Sequence, residues 1–160
     1  MITPATLEAF ASALYEVRIE GRWLDALHGQ APQPAALPLA ILTAANPGAR
    51  LLDEAENRLR NQSLQRRVEA AGWRNWPARG RSPDSSWVED SLLIEAPLVA
   101  IDELARAFGQ LAVWLRRPAA VRPSLRLYAL APADFDARSI PRFVCEWVGS
   151  PAMSSSMPSA

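Results

Sequence analysis

Residues 39–72 read LAILTAANPGARLLDEAENRLRNQSLQRRVEAAG, and this stretch decides the fold. Residues 39–45 form a nearly unbroken apolar run, the pattern of a central strand, and Asn46-Pro47-Gly48 is a turn signal that ends it. Asp53, followed three residues later by Glu56, resembles a capping box. A helix is predicted from there to about Ala71, stopped by Gly72. Downstream the pattern predicts a short strand over 73–77, a turn-rich loop over 79–86 and an alternating strand over 87–96 broken by Pro97. A helix over 100–108 ended by Gly109 follows, then strands over 111–115 and 124–130. From residue 39 the order is thus strand, helix, strand, strand, helix, strand. That is the split βαβ pattern of a ferredoxin-like two-layer α+β sandwich, with helices on one face of a mixed sheet.

Upstream, Thr3-Pro4 opens a helix carrying Leu7, Phe10, Ala11 and Leu14 at helical spacing. Tyr15, Val17 and Ile19 then alternate with Glu16, Arg18 and Glu20, the period of a half-buried strand. Residues 28–38 hold Gly29, Pro32, Pro34 and Pro38 and read as a loop. The N-terminal helix and strand and the late strand extend the core, giving one domain over 1–148. Residues 149–160 carry no charge and no aromatic side chain, and are expected to form a flexible, dispensable tail.

Composition excludes more than it proposes. The 160 residues are 49% hydrophobic and 21% charged, as in a globular domain. Seventeen acidic side chains cancel seventeen basic ones, so no global field favours a nucleic acid or a membrane surface. Every basic side chain is arginine, which excludes Schiff-base chemistry and a P-loop lysine. One cysteine and one histidine exclude a disulfide framework and the common zinc sites. No Gly-x-Gly occurs, so a dinucleotide fingerprint is absent. Neither a metal nor a cofactor is expected. The N-terminus lacks a secretory pattern and no apolar run is long enough to span a bilayer, so a soluble cytoplasmic protein with no membrane partner is expected. Arginine without lysine, with abundant alanine and proline, reads as the product of a GC-rich bacterial genome.

A set of short motifs runs in order along the middle of the chain. Thr43-Ala44-Ala45-Asn46-Pro47, Glu56-Asn57 with Arg60, Gly72, and Pro77-Ala78 with Gly80 come first. Trp87 with Glu89 and Ser91, then Ala105-Arg106 with Phe108-Gly109-Gln110 and Ala112, complete it. Over residues 15–115 these motifs resemble the bacterial domain of unknown function family 3293 (DUF3293). Ala45 departs from it where an aromatic residue is usual, and Leu111 where a polar one is. The resemblance implies a fold unit and a motif list, and it carries no activity.

The candidate site residues come from faces of elements. On a helical wheel of about 100° per residue centred on Leu59, Leu52, Ser63 and Ala70 make one apolar patch. Leu64, Val68 and Ala71 make another, and Glu56, Arg60 and Arg67 fall between the two. Glu56 either closes the capping box or faces a ligand, and Arg67 is read as snorkelling to water. Arg60 either holds an anionic ligand or completes a structural pair with Glu56. On the strand over 87–96, Trp87, Glu89 and Ser91 share a face that lines a cleft or meets solvent. Asn46 ends the buried strand as a turn former or a binding group. Gln110 follows the helix-ending Gly109, where a buried amide orients a loop or a ligand. With Asn57 from the motif list, these residues define a polar pocket for a small anionic ligand. Arg60 would anchor the anion, Glu56 or Glu89 would orient it, and Trp87 would form a stacking wall.

Two other readings compete with it. A non-catalytic interaction or homodimer module would use the tryptophans at a partner surface. Single-stranded nucleic acid would use the seven arginines between Arg58 and Arg81, interleaved with Trp73 and Trp76. Acidic neighbours from Asp53 to Asp90 cancel that run, so nucleic acid ranks below the small ligand. A hydrolytic triad is disfavoured because Ser91 has no base nearby and His28 sits in a proline-rich loop. Cys145, among Phe143, Val144 and Trp147, reads as a packed apolar residue.

Overall fold

A computed structural model describes residues 2–27, 32–34 and 36–148. The class is α+β: among the described residues, three α-helices accompany one mixed sheet of eight strands in the order β2-β1-β4-β5-β3-β6-β7-β8. Helix α1 (Pro4–Ser12) starts where the Thr3 side chain accepts the Thr6 N–H at 3.1 Å. Strand β1 (Leu14–Ile19) turns directly into β2 (Arg22–Asp25), a strand the alternation analysis does not foresee. Glu20 and Gly21, with φ of 48° and 80°, form the two-residue left-handed turn that matches the twist of a hairpin. A glutamate in the first turn position hid that signal.

Strand β3 (Leu39–Leu42) is buried at all four positions, as its apolar run predicts. It lies between β5 (Val88–Glu95) and β6 (Ala112–Arg116), antiparallel to both. Helix α2 (Glu54–Ala70) connects β3 to β4 (Asn75–Arg81), and α3 (Leu98–Ala107) connects β5 to β6. Beyond β6 come β7 (Ser124–Leu127) and β8 (Val144–Trp147), which pairs parallel to β7. β8 is the second strand missed, because four half-exposed residues show no period.

The sheet has a core on each face. On one, Leu64 and Val68 of α2 and Ile101, Leu104 and Ala105 of α3 pack on Ala40, Leu42, Ile94 and Leu115. On the other, α1 (through Leu7) and the segment carrying Ile140 and Phe143 cover Val17, Ile41, Leu93, Trp114 and Leu125. Two covered faces differ from the expected two layers, since the N-terminal helix closes the side thought to be open. Among the described residues, no helix is long and apolar enough to cross a membrane. The expected tail, 149–160, and His28 lie outside the described residues.

Helix α2 is also turned relative to the expected wheel. Leu59 is 65% exposed, and the packing face, centred on Leu64 and Val68, lies roughly 160° away. That face is half polar, with Asn57, Arg60 and Asn61 continuing it toward the helix N-terminus. The helix is seated by hydrogen bonds as much as by apolar contact.

Candidate functional site

After Leu42 the chain leaves the ladder, and the backbone over 43–48 must find partners elsewhere. Side chains of α2 provide many of them. Asn61 Oδ1 accepts the Ala44 N–H at 2.8 Å, and Asn57 Oδ1 accepts the Asn46 N–H at 2.9 Å. The Arg60 guanidinium donates to the Ala44 carbonyl at 2.6 Å and to the Phe108 carbonyl at 2.8 Å. From beyond α3, Gln110 Nε2 donates to the Ala45 carbonyl at 2.9 Å. Residues three and four apart share a helix face, so Asn57, Arg60 and Asn61 reach one stretch of chain together. Gly48 N–H donates to the Gly109 carbonyl at 2.7 Å, and Gly109 adopts a φ of 70° in the left-handed region.

Held this way, Asn46 takes a left-handed conformation (φ 45°, ψ 56°), which asparagine tolerates better than most residues. Its Oδ1 accepts from Leu52 N–H and Asn57 Nδ2, both at 3.0 Å, and its Nδ2 donates to Glu89 Oε1 at 2.6 Å. The Asn46–Glu89 bond ties the strand end to β5. A cleft of about 720 Å³ opens between α2 and β5, with Asn46, Asn57, Asn61, Glu89 and Asp90 among its walls. On the opposite face of the sheet lies a hollow of about 50 Å³, bordered by Trp87, Glu89, Ser91, Gln110 and Trp114. Gly80 also borders it, between the Trp87 and Tyr15 rings. Glu89 and Ser91 border both spaces.

The structure therefore brings Asn46, Asn57, Glu89 and Ser91 to the cleft, and Trp87 and Gln110 to the hollow. Two predicted residues stand apart. Glu56 is exposed and borders neither space; Asp53 Oδ1 accepts its N–H at 2.7 Å, the capping interaction. Arg60 borders neither space and spends its guanidinium on two carbonyls, where an anion anchor was expected. Arg67 lies over the Phe108 ring, 5.2 Å from its centre. Sequence reasoning missed Thr43, Asn61 and Trp114. The spacing of Asn57 and Asn61, four apart, was the available signal for one of them. Thr43 donates to the Asp90 carbonyl at 2.8 Å and accepts the Ala45 N–H at 3.0 Å, closing the strand end from the β5 side.

Glu89 differs electrostatically from the carboxylates of Glu16, Asp102, Glu146 and Glu95, each of which binds arginine. Glu16 binds Arg79 and Arg81, Asp102 binds Arg126, Glu146 binds Arg117 and Arg126, and Glu95 binds Arg74. Burial pushes the Glu16, Asp102 and Glu146 carboxyls up, but the arginine hydrogen bonds outweigh it and hold all three below their ordinary pKa. Glu89 makes no ion pair among the described residues, and Asn46 serves it with a neutral amide. Burial, and then the nearby Glu89 charge, push the Tyr15 phenol well up, so Tyr15 stays a neutral donor to the Phe10 carbonyl at 3.0 Å. Among the described residues no cluster of three or more His, Cys, Asp or Glu side chains is placed to hold a metal. Cys145 is half-buried on β8, and burial pushes its thiol up.

Fold and site together define an α+β domain with a polar cleft at the end of its central strand. Residues 42–113 match the family described as a protein of unknown function (DUF3293), within the region whose motifs resemble that family. That segment holds all the residues that border the cleft. No curated protein and no solved structure matches the chain.

Proposed function

We propose that this protein binds a small polar ligand in the cleft, and that Glu89 receives an amine, amidine or amide donor of that ligand. The observation that carries the reading is a half-buried carboxylate on a residue that borders the cleft, whose one side-chain partner is the neutral amide of Asn46. A half-buried carboxylate without a countercharge attracts cations and strong donors. Glu54 and Asp90 add to the same sign, and Arg58 is paired with Glu54 at 3.3 Å. An anionic ligand would have needed Arg60, which is committed to backbone carbonyls.

The scaffold in this reading is a ferredoxin-like split βαβ core. The strand order β6-β3-β5-β4 supports it, with β5 inserted between β3 and β4 and β3 between β5 and β6. No cofactor enters the reading, and composition suits a bacterial cytoplasmic setting. A second reading, a protein-interaction or homodimer surface, draws on the exposed Leu51 and Leu59, at 85% and 65% exposure.

Thermal-shift titrations with spermidine and benzamidine, against citrate and phosphate, test the first reading. The expected result is a saturable rise in Tm with a cationic probe, lost in Glu89→Gln, which keeps an acceptor for Asn46. Stabilisation by the anions alone, or a cationic shift untouched in Glu89→Gln, would overturn it. Light scattering tests the second, which requires a dimer that Leu59→Glu dissociates.

A further inference from the structure

The hollow behind Glu89 holds an unbalanced set of hydrogen-bonding groups. Trp114 is 1% exposed and borders it, and its Nε1–H meets no acceptor among the described residues. A buried donor left without an acceptor is costly. Three of the other side chains around the hollow donate to backbone carbonyls. Thr43 donates to the Asp90 carbonyl, Ser91 Oγ to the Glu89 carbonyl at 3.3 Å, and Gln110 Nε2 to the Ala45 carbonyl. The buried donor that lacks an acceptor is the Trp114 indole N–H, and the same hollow is bordered by a strong acceptor, the Glu89 carboxylate, with lone pairs beyond the one that Asn46 occupies.

We propose that this hollow is a hydroxyl site: a guest oxygen accepts from Trp114 Nε1–H and donates its own proton to Glu89. An ammonium group has no lone pair for the indole, and a carboxylate has no proton for Glu89, so neither satisfies both groups. A hydroxyl satisfies both. The volume of about 50 Å³ suits one such group, since a water molecule occupies about 30 Å³ in the liquid. The hydroxyl comes either from water or from the alcohol of an organic ligand. The site shares Glu89 with the cleft but does not rest on the cation reading there, because Trp114 reports on it without any cationic probe.

The test uses the wild-type protein, isotope-labelled and with the Trp114 indole assigned by triple-resonance NMR. The expected result is a dipolar contact from Trp114 Hε1 either to a long-lived water or, on titration with methanol, to the methanol methyl group. The first outcome identifies water as the source and the second an organic hydroxyl; each supports the site. An indole N–H in contact with neither would overturn it. So would a resonance that shifts saturably with methylammonium or acetate and not with methanol.

Discussion

Arg60 shows how a charge in a helix face can be structural without an acidic partner. Its two carbonyl acceptors belong to residues 44 and 108, so one side chain joins the end of β3 to the end of α3. Arg60→Ala is expected to cost about 1.5–3 kcal/mol, the range for hydrogen bonds to a charged group. Leu59→Ala, on the solvent side, should stay within about 0.5 kcal/mol. Urea denaturation midpoints of the two variants check this ordering, and a larger loss at Leu59 would contradict the orientation of α2. Gly109 is constrained in a different way. Its φ is positive, and a Cβ there would lie 2.9 Å from Pro47 Cβ. Gly109→Ala should therefore destabilise by about 1–3 kcal/mol, the scale of one strained backbone position. It should also loosen the 43–48 segment, measurable as faster amide exchange at Gly48.

Strand β8 packs Cys145 and Trp147 against the core and is tied to its neighbours by a charged network. Arg126 of β7 binds Asp102 of α3 through two bonds of 2.7 Å and Glu146 of β8 at 2.8 Å. Tyr128 donates to Asp102 at 2.7 Å, and Arg117 to Glu146 at 2.8 Å. Arg126→Met would leave Asp102 and Glu146 without their shared cation and is expected to cost about 3 kcal/mol. The depressed carboxyl pKa values set the direction with pH. Stability from these groups is fully present above their ordinary pKa values, 3.8 for Asp102 and 4.5 for Glu146 and Glu16, and is lost as pH falls through the lower folded values. The urea midpoint should hold from pH 7 to about 5 and then fall, less steeply in Arg126→Met. This network was illegible in the sequence because its members lie far apart in the chain and carry no local period. β3, α2 and α3 were legible for the opposite reason: a four-residue buried run, an aspartate cap and a clean apolar stripe are local signals. The cleft was half legible. Asn46, Asn57, Glu89 and Ser91 stood out as polar residues at strand ends and on a helix face. The turn of α2 did not, since polar side chains gripping a backbone leave no hydrophobic periodicity.

Across the whole molecule the arginines are largely consumed internally. Within 58–81, Arg58, Arg74, Arg79 and Arg81 face carboxylates, Arg60 faces carbonyls and Arg67 lies over a ring. Fluorescence polarisation with single-stranded RNA and DNA should accordingly find no binding tighter than micromolar at near-physiological salt. A tighter affinity that falls steeply with salt would restore that reading, as phosphate-driven binding must behave this way. The position of β3 has a consequence for synthesis on the ribosome. Leu39 pairs with Glu95 on one side and Arg116 on the other, both made long after it. At about 5–20 residues per second, this most apolar strand waits several seconds for its first neighbour. Pro32, Pro34 and Pro38 stand just upstream of it. Prolines cannot donate to a ladder, so this upstream stretch does not lengthen the pairing edge that the waiting strand exposes.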